Sequence, residues 1–170
     1  MENHQAGDYL APEANLLFRR YTDQVIKWTL DKQPLDVGSN FIARTAHYAL
    51  ALIEKISQQT SENIPLAWSA DFSTKVAAVE TYPAATLLAL QIPHARYKQD
   101  KSARKKLLED LQTIMTFSCD TSMMIEKDDV FDAVLCVLTG KDFMQGLCLG
   151  PDEEELPLAH KEGWIWVRDP

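Results

Sequence analysis

The sequence predicts an α/β domain that is mostly helical in this chain and carries about two strands. Three observations carry that prediction. Apolar residues recur at 4-3-4-3 spacing over Ile42, Ala46, Ala49, Ile53 and Ile56, the period of one helix face. Val76–Tyr82 is a short apolar run that stops at Pro83, which is how a buried strand reads. Trp164–Val167 is a second such run near the end of the chain.

Taken in order, residues 1–14 read as a leader or the remainder of an upstream domain, and residues 15–170 as a single domain. A chain of 170 residues is long enough to bury a core. Asn15 to about Leu30 predicts a helix with Leu17, Tyr21, Val25 and Trp28 on one side. Pro34 and Gly38 break the chain, and Ser39 or Asn40 can cap the second helix. Residues 57–74 are polar and read as a loop around Pro65. After the first strand, Ala84–Leu90 predicts a short helix and residues 91–101 a connector around Pro93. Ser102 to about Thr116 predicts a helix with Leu107, Leu108, Leu111 and Ile114 inward. Residues 117–126 show no clear pattern. Asp128 to about Thr139 predicts a helix with Val130, Val134, Val137 and Leu138 inward, and residues 140–160 read as loop. A strand apolar on both faces normally sits inside a larger sheet, whereas two strands alone are marginal. The chain therefore reads as part of an α/β domain whose other strands are absent or come from elsewhere.

Composition narrows the class. Apolar content of 46% and charged content of 25% are those of an ordinary globular domain. No apolar run approaches the ~20 residues that span a bilayer, and the polar start lacks a signal-peptide pattern, so no membrane and a cytoplasmic location are expected. Cys119, Cys136 and Cys148 are widely spaced and form no Cys-x-x-Cys pair, which supports neither a zinc knuckle nor a disulfide framework. The net charge of −8 argues against nucleic-acid binding over the whole surface but leaves a local patch open.

Four features could carry chemistry. Glu80 lies near the C-terminal end of the predicted strand, where an apolar strand can deliver a carboxylate to a site. Asp129 and Asp132 are three apart on the predicted helix and so share a face. Together with Glu80 they would form a set of hard oxygen ligands for Mg²⁺ or Mn²⁺, suited to phosphodiester cleavage. Acids in a first helical turn also complement the helix dipole without any catalysis, and spacing alone does not separate the two readings; Asp128 reads as a cap. In residues 96–106, Arg96, Lys98, Lys101, Arg104, Lys105 and Lys106 face the single acid Asp100, a net of +5 that would attract a phosphate backbone. A solvated helix face is the alternative, with Lys98 and Arg104 the stronger candidates for contact. Arg19-Arg-Tyr-Thr-Asp23 offers a local Arg–Asp pair, and Trp164 and Trp166 read as packing residues.

Several of these pieces occur in a fixed order: Arg20-Tyr-Thr-Asp23, Pro34-Leu-Asp-Val-Gly38, Val79-Glu-Thr-Tyr-Pro-Ala84, Tyr97-Lys98 followed by Arg104, Asp129-x-x-Asp-Ala133, and Glu162-Gly-Trp-Ile-Trp166. The ordered set resembles the family called domain of unknown function 429, from about Asn15 to the C-terminus. That family is classed as predicted nucleases with a ribonuclease H-like fold. The resemblance implies a partial ribonuclease H-like fold, with Glu80 as the strand carboxylate and metal ligand. Asp132 would be the helix acid and second metal ligand, and Asp129 an auxiliary ligand or base. Lys98 would touch phosphate or hold a carboxylate. It also implies that the chain starts downstream of the family's opening strands and their acids, and is weak or inactive alone. A complementing N-terminal fragment or a homodimer would then be a partner, and nucleic acid would approach through residues 96–106. The alternative is a non-catalytic helical interaction protein that self-associates or binds a partner chain. No Gly-rich phosphate loop is present.

Overall fold

The computed structural model describes residues 19–36 and 40–170, and the side chains of Asn40 and Phe41 are outside that description. The predicted leader, the start of the first predicted helix with Leu17, and Val37–Ser39 of the predicted turn lie outside the described residues. The chain divides into two compact units.

The first unit comprises the described residues up to Ala67 together with Phe72–Ala78 and Pro151–Trp164. Helix α1, Tyr21–Leu30, opens with a capping box at Arg20: its backbone N–H donates to Asp23 Oδ2 at 2.9 Å. Asp23 also sits in the first turn, where a carboxylate complements the helix dipole. The predicted Arg–Asp pair is Arg20–Asp23, at 3.4 Å, with Asp23 buried. The inward face is Thr22, Asp23 and Ile26, not the aromatic side predicted; Trp28 is 67% exposed. Helix α2, Asn40–Thr60, forms where the 4-3-4-3 spacing places it. Its stripe is little covered: Ile42 and Ile53 are half-buried, whereas Ala46, Ala49 and Ile56 are exposed. Leu66 and Ala78 join in an isolated parallel bridge: the N–H of Ala67 donates to the Ala78 carbonyl at 2.9 Å, and the N–H of Ala78 to the Pro65 carbonyl at 2.8 Å. The loop predicted after residue 140 contains helix α7, Leu156–Glu162. Its Glu162 accepts from the Tyr21 backbone N–H at 2.8 Å.

The second unit comprises Trp68–Asp71, Val79–Gly150 and Ile165–Pro170. Strand β1 is only Glu80–Thr81, shorter than the predicted Val76–Tyr82. Pro83 ends it and occupies the first turn of α3, Pro83–Ala89, where its missing N–H costs nothing. Strand β2, Ile165–Trp166, lies parallel to β1, with Glu80 opposite Ile165 and Thr81 opposite Trp166. Helix α4, Lys101–Leu111, starts one residue before the predicted position because Asp100 caps it, accepting from the Ser102 N–H at 2.8 Å. Leu107, Leu108 and Leu111 are buried as expected, but the helix ends before Ile114, which is exposed. Two further helices follow, α5, Ser122–Glu126, and α6, Asp128–Met144.

The buried face of α6 is Phe131, Leu135, Leu138, Thr139, Asp142 and Phe143, so Leu138 of the predicted inward set is buried as expected and its three valines are not. Val130 and Val134 flank that face, and Val137 is 67% exposed. Large apolar side chains take the centre of the contact because they remove more surface from water. The core unites Leu87 of α3, Leu107, Leu108 and Leu111 of α4, Met124 of α5, and Phe131, Leu135 and Leu138 of α6, with Tyr97 from the connecting loop. Between α3 and α6 the hydroxyls of Thr86 and Thr139 form a buried 2.7 Å hydrogen bond. Among the described residues the fold is thus mostly helical with two short parallel strands, and no helix is long and apolar enough to cross a membrane.

Candidate functional site

The loop His94–Asp100 carries two consecutive side chains onto one carboxylate. Arg96 adopts a left-handed conformation, φ 63°, a region that a non-glycine residue occupies at a cost. Its carbonyl then accepts from the N–H groups of Gln99 and Asp100 at 3.0 and 2.9 Å, closing the loop into the cap of α4. Tyr97, buried by the core, donates its hydroxyl to Asp132 Oδ1 at 2.9 Å. Lys98 donates its ammonium to Asp132 Oδ2. The Lys98 side chain is 44% exposed and that of Asp132 is 19% exposed, so this carboxylate sits at the rim of the core with one side to solvent. The Lys98 ammonium also lies 5.7 Å from the centre of the Tyr97 ring.

The electrostatics follow from that placement. Burial pushes the Tyr97 hydroxyl well above the ordinary tyrosine range, and the Asp132 charge and hydrogen bond push it further. Tyr82 and Asp128 add to the same effect. Burial alone raises Tyr82. Tyr97 therefore stays a neutral donor, and Asp132 is held by one neutral and one cationic partner.

The predicted site residues fare differently. Asp132 and Lys98 are brought together. Asp129 is exposed on the first turn of α6, whereas Asp128, which reads from sequence as a cap, bears on Tyr97. Glu80 stands exposed on β1, in register with Ile165. Its neighbour Thr81 donates to Cys136 Sγ on α6 at 3.1 Å. Among the described residues no three His, Cys, Asp or Glu side chains gather closely enough to hold a metal ion. Glu80, Asp129 and Asp132 thus do not form the ligand set that their sequence positions suggest for Mg²⁺ or Mn²⁺. Asp132 meets an ammonium and a hydroxyl instead, which does not fit a metal cage built from these three acids.

Arg104 is placed differently from its predicted role of phosphate contact. It is 4% exposed, and its guanidinium donates to the carbonyls of Tyr97 and Ile125 at 2.7 Å and of Lys98 and Glu126 at 3.3 Å. Four of the five N–H donors are engaged in this way and the side chain is buried, which does not suit a phosphate contact. The rest of the basic run is thinned too: Lys101 pairs with Glu126, while Arg96, Lys105 and Lys106 remain exposed.

Sequence reasoning missed Tyr97 and Asp128. Tyr97 adjoins Lys98, and Asp128 lies one helical turn before Asp132, so an i, i+4 reading of the acids would have paired them. Set beside known families, residues 13–156 match the family model described as Protein of unknown function (DUF429). No curated protein and no solved structure matches the chain.

Proposed function

The chain belongs to the Protein of unknown function (DUF429) family, and we propose that it acts on phosphodiester bonds of nucleic acid as part of a ribonuclease H-like domain. The observation that carries this reading is the Tyr97–Lys98–Asp132 arrangement, a carboxylate held beside a half-exposed cation. A phosphate oxygen competes with Asp132 for the Lys98 ammonium, because both are anionic acceptors. Once Lys98 turns to phosphate, Asp132 Oδ2 is open to a water molecule while Tyr97 still holds Oδ1. Asp132 then takes a proton from that water as its oxygen bonds to phosphorus, the bond from phosphorus to the leaving oxygen breaks, and that alkoxide takes a proton from solvent to leave as the alcohol. No step is assigned to a divalent ion, since the described residues assemble no cage for one. The exposed Arg96, Lys105 and Lys106 are the remaining cations that a nucleic-acid backbone would meet.

The test is cleavage of labelled single- and double-stranded DNA and RNA with Mg²⁺, with Mn²⁺ and with EDTA. Cleavage that Asp132→Ala and Lys98→Met each reduce by at least about tenfold is the expected result. Cleavage that survives Asp132→Ala unchanged removes this carboxylate from the chemistry.

A second reading has its own observation. On α2, Tyr48, Leu50, Leu52 and Ile56 are all exposed. Ile56 lies within the Ile42, Ala46, Ala49 and Ile53 stripe, Leu50 and Leu52 flank that stripe on its two edges, and Tyr48 stands beyond Leu52. A face this apolar on a 21-residue helix is suited to binding another chain, including a second copy. Light scattering that returns a monomer across the micromolar range, with no change on Leu50→Glu, excludes self-association through α2.

A further inference from the structure

We infer that Arg104 is the positioning residue of the Asp132 site: one buried guanidinium sets the Tyr97–Lys98 segment at the distance from α6 that lets both side chains reach the carboxylate. The inference rests on reading Asp132 as the central carboxylate. Its argument is geometric. Two of the four carbonyls on Arg104 belong to the donor segment, Tyr97 at 2.7 Å and Lys98 at 3.3 Å. The other two, Ile125 at 2.7 Å and Glu126 at 3.3 Å, lie at the end of α5. From there Lys127 leads directly into α6, which carries Asp128 and Asp132. Arg104 thus ties the chain that supplies the donors to the chain that supplies the acceptor.

The loop on its own does not hold that geometry. Its closing turn relies on Arg96 at φ 63°, a conformation that persists only where surrounding structure imposes it. The Asp100 cap fixes the loop to the start of α4, and Arg104 is one turn further along the same helix. The side chain comes back from α4 onto the loop carbonyls, so α4 acts as the bracket. Lysine in this position offers one ammonium where arginine offers a fork of five N–H donors, and it cannot bridge two backbone segments in the same way.

A merely structural role for Arg104 predicts lost stability and nothing more. A positioning role predicts that the coupling between Tyr97 and Asp132 depends on it. The coupling is read from a double-mutant cycle of Tyr97→Phe and Asp132→Ala, followed by urea unfolding, first with Arg104 and then with Arg104→Lys. We expect the coupling to fall to within error of zero with lysine. Full coupling in a destabilised Arg104→Lys protein overturns the inference. If Arg104→Lys does not fold, the reciprocal measurement decides, because coupling between two sites runs both ways. Solvent exchange of the Arg104 Nε proton, followed by NMR, is expected to accelerate about fivefold or more in Asp132→Ala. Unchanged exchange there overturns the inference. Neither readout uses a substrate, so absence of nuclease activity does not count against Arg104, and loss of the coupling does not count for a nuclease.

Discussion

The Asp132 site makes a quantitative forecast about which of its two partners matters to stability. Tyr97 is buried and its hydroxyl reaches Asp132 at 2.9 Å, whereas the Lys98 partner is half exposed. A hydrogen bond to a charged group is worth about 1.5–3 kcal/mol, and an exposed ion pair below about 1 kcal/mol. Tyr97→Phe keeps the ring that packs 6.0 Å from Phe131, and removes only the O–H. Because water reaches Asp132 and replaces part of the lost bond, the cost lies near the lower end, about 1.5 kcal/mol. For a chain of this size that is a fall in Tm of about 3–6 °C. Asp132→Ala strands the buried hydroxyl and costs about 1–3 kcal/mol, while Asp132→Asn leaves an acceptor for it and costs less than about 1 kcal/mol. Lys98→Met costs less than about 1 kcal/mol. Urea unfolding of the four variants checks the order. If Lys98→Met destabilises as much as Tyr97→Phe, or Asp132→Asn as much as Asp132→Ala, the claim that the buried donor dominates is refuted. The sign with pH is also set. Folding raises the Tyr97 hydroxyl above its unfolded value, so above pH ~10 the unfolded chain binds fewer protons and stability falls as pH rises. Below that pH the contribution is fully present, and Tyr97→Phe flattens the alkaline loss.

Two further outcomes follow from burial. Cys148 is pushed up to about 11, by burial first and by the Asp142 charge second, which leaves about 100-fold less thiolate than the ordinary value of 9.0 gives. The exposed Cys119 therefore reacts first with a thiol reagent at pH 8, and mass spectrometry of the early adduct locates it; equal labelling of Cys148 contradicts its placement. On α6, Leu135→Ala is expected to cost about 2–5 kcal/mol and Val137→Ala less than about 0.5 kcal/mol, read by thermal unfolding. Reversal of that order would return the inward face to the valines.

Much of the helical framework was legible because periodicity survives in single sequences. The stripe on α2 and the leucines of α4 mark their helices, and Pro83 marks both the end of β1 and the start of α3. What the period does not say is which of two apolar stripes is central. On α6, valines at 130, 134 and 137 and the set Phe131, Leu135 and Leu138 both recur at helical spacing, and only packing chooses the larger set. Helices α5 and α7 are five and seven residues long, too short to be stable on local propensity, so they depend on tertiary contacts that a sequence does not print. At the candidate site, Asp132 and Lys98 were legible as residues but not as a pair. They lie 34 positions apart, and the strained turn at Arg96 that brings them together has no signature of glycine.

The misreading of Arg104 shows where the missing signal lies. Counted with its neighbours it is one cation in a basic run, and a basic run suggests phosphate. Placed on its helix it stands three and four residues before Leu107 and Leu108 and seven before Leu111, inside the apolar stripe, while Lys105 and Lys106 fall outside it. A charge at such a position must be buried, and a buried charge must be engaged by polar groups to be tolerated. The same rule holds twice more in this chain. Asp23 lies on the buried face of α1 and meets Arg20, and Asp142 lies on the buried face of α6 and meets Arg168 at 3.0 Å. Arg104 and Asp142 tie one segment to another, while Asp23 closes the start of its own helix. A charged residue within an apolar stripe is therefore better read as a constraint on geometry than as a contact for ligand, and in this chain that reading moves Arg104 from the substrate to the residues that aim Tyr97 and Lys98.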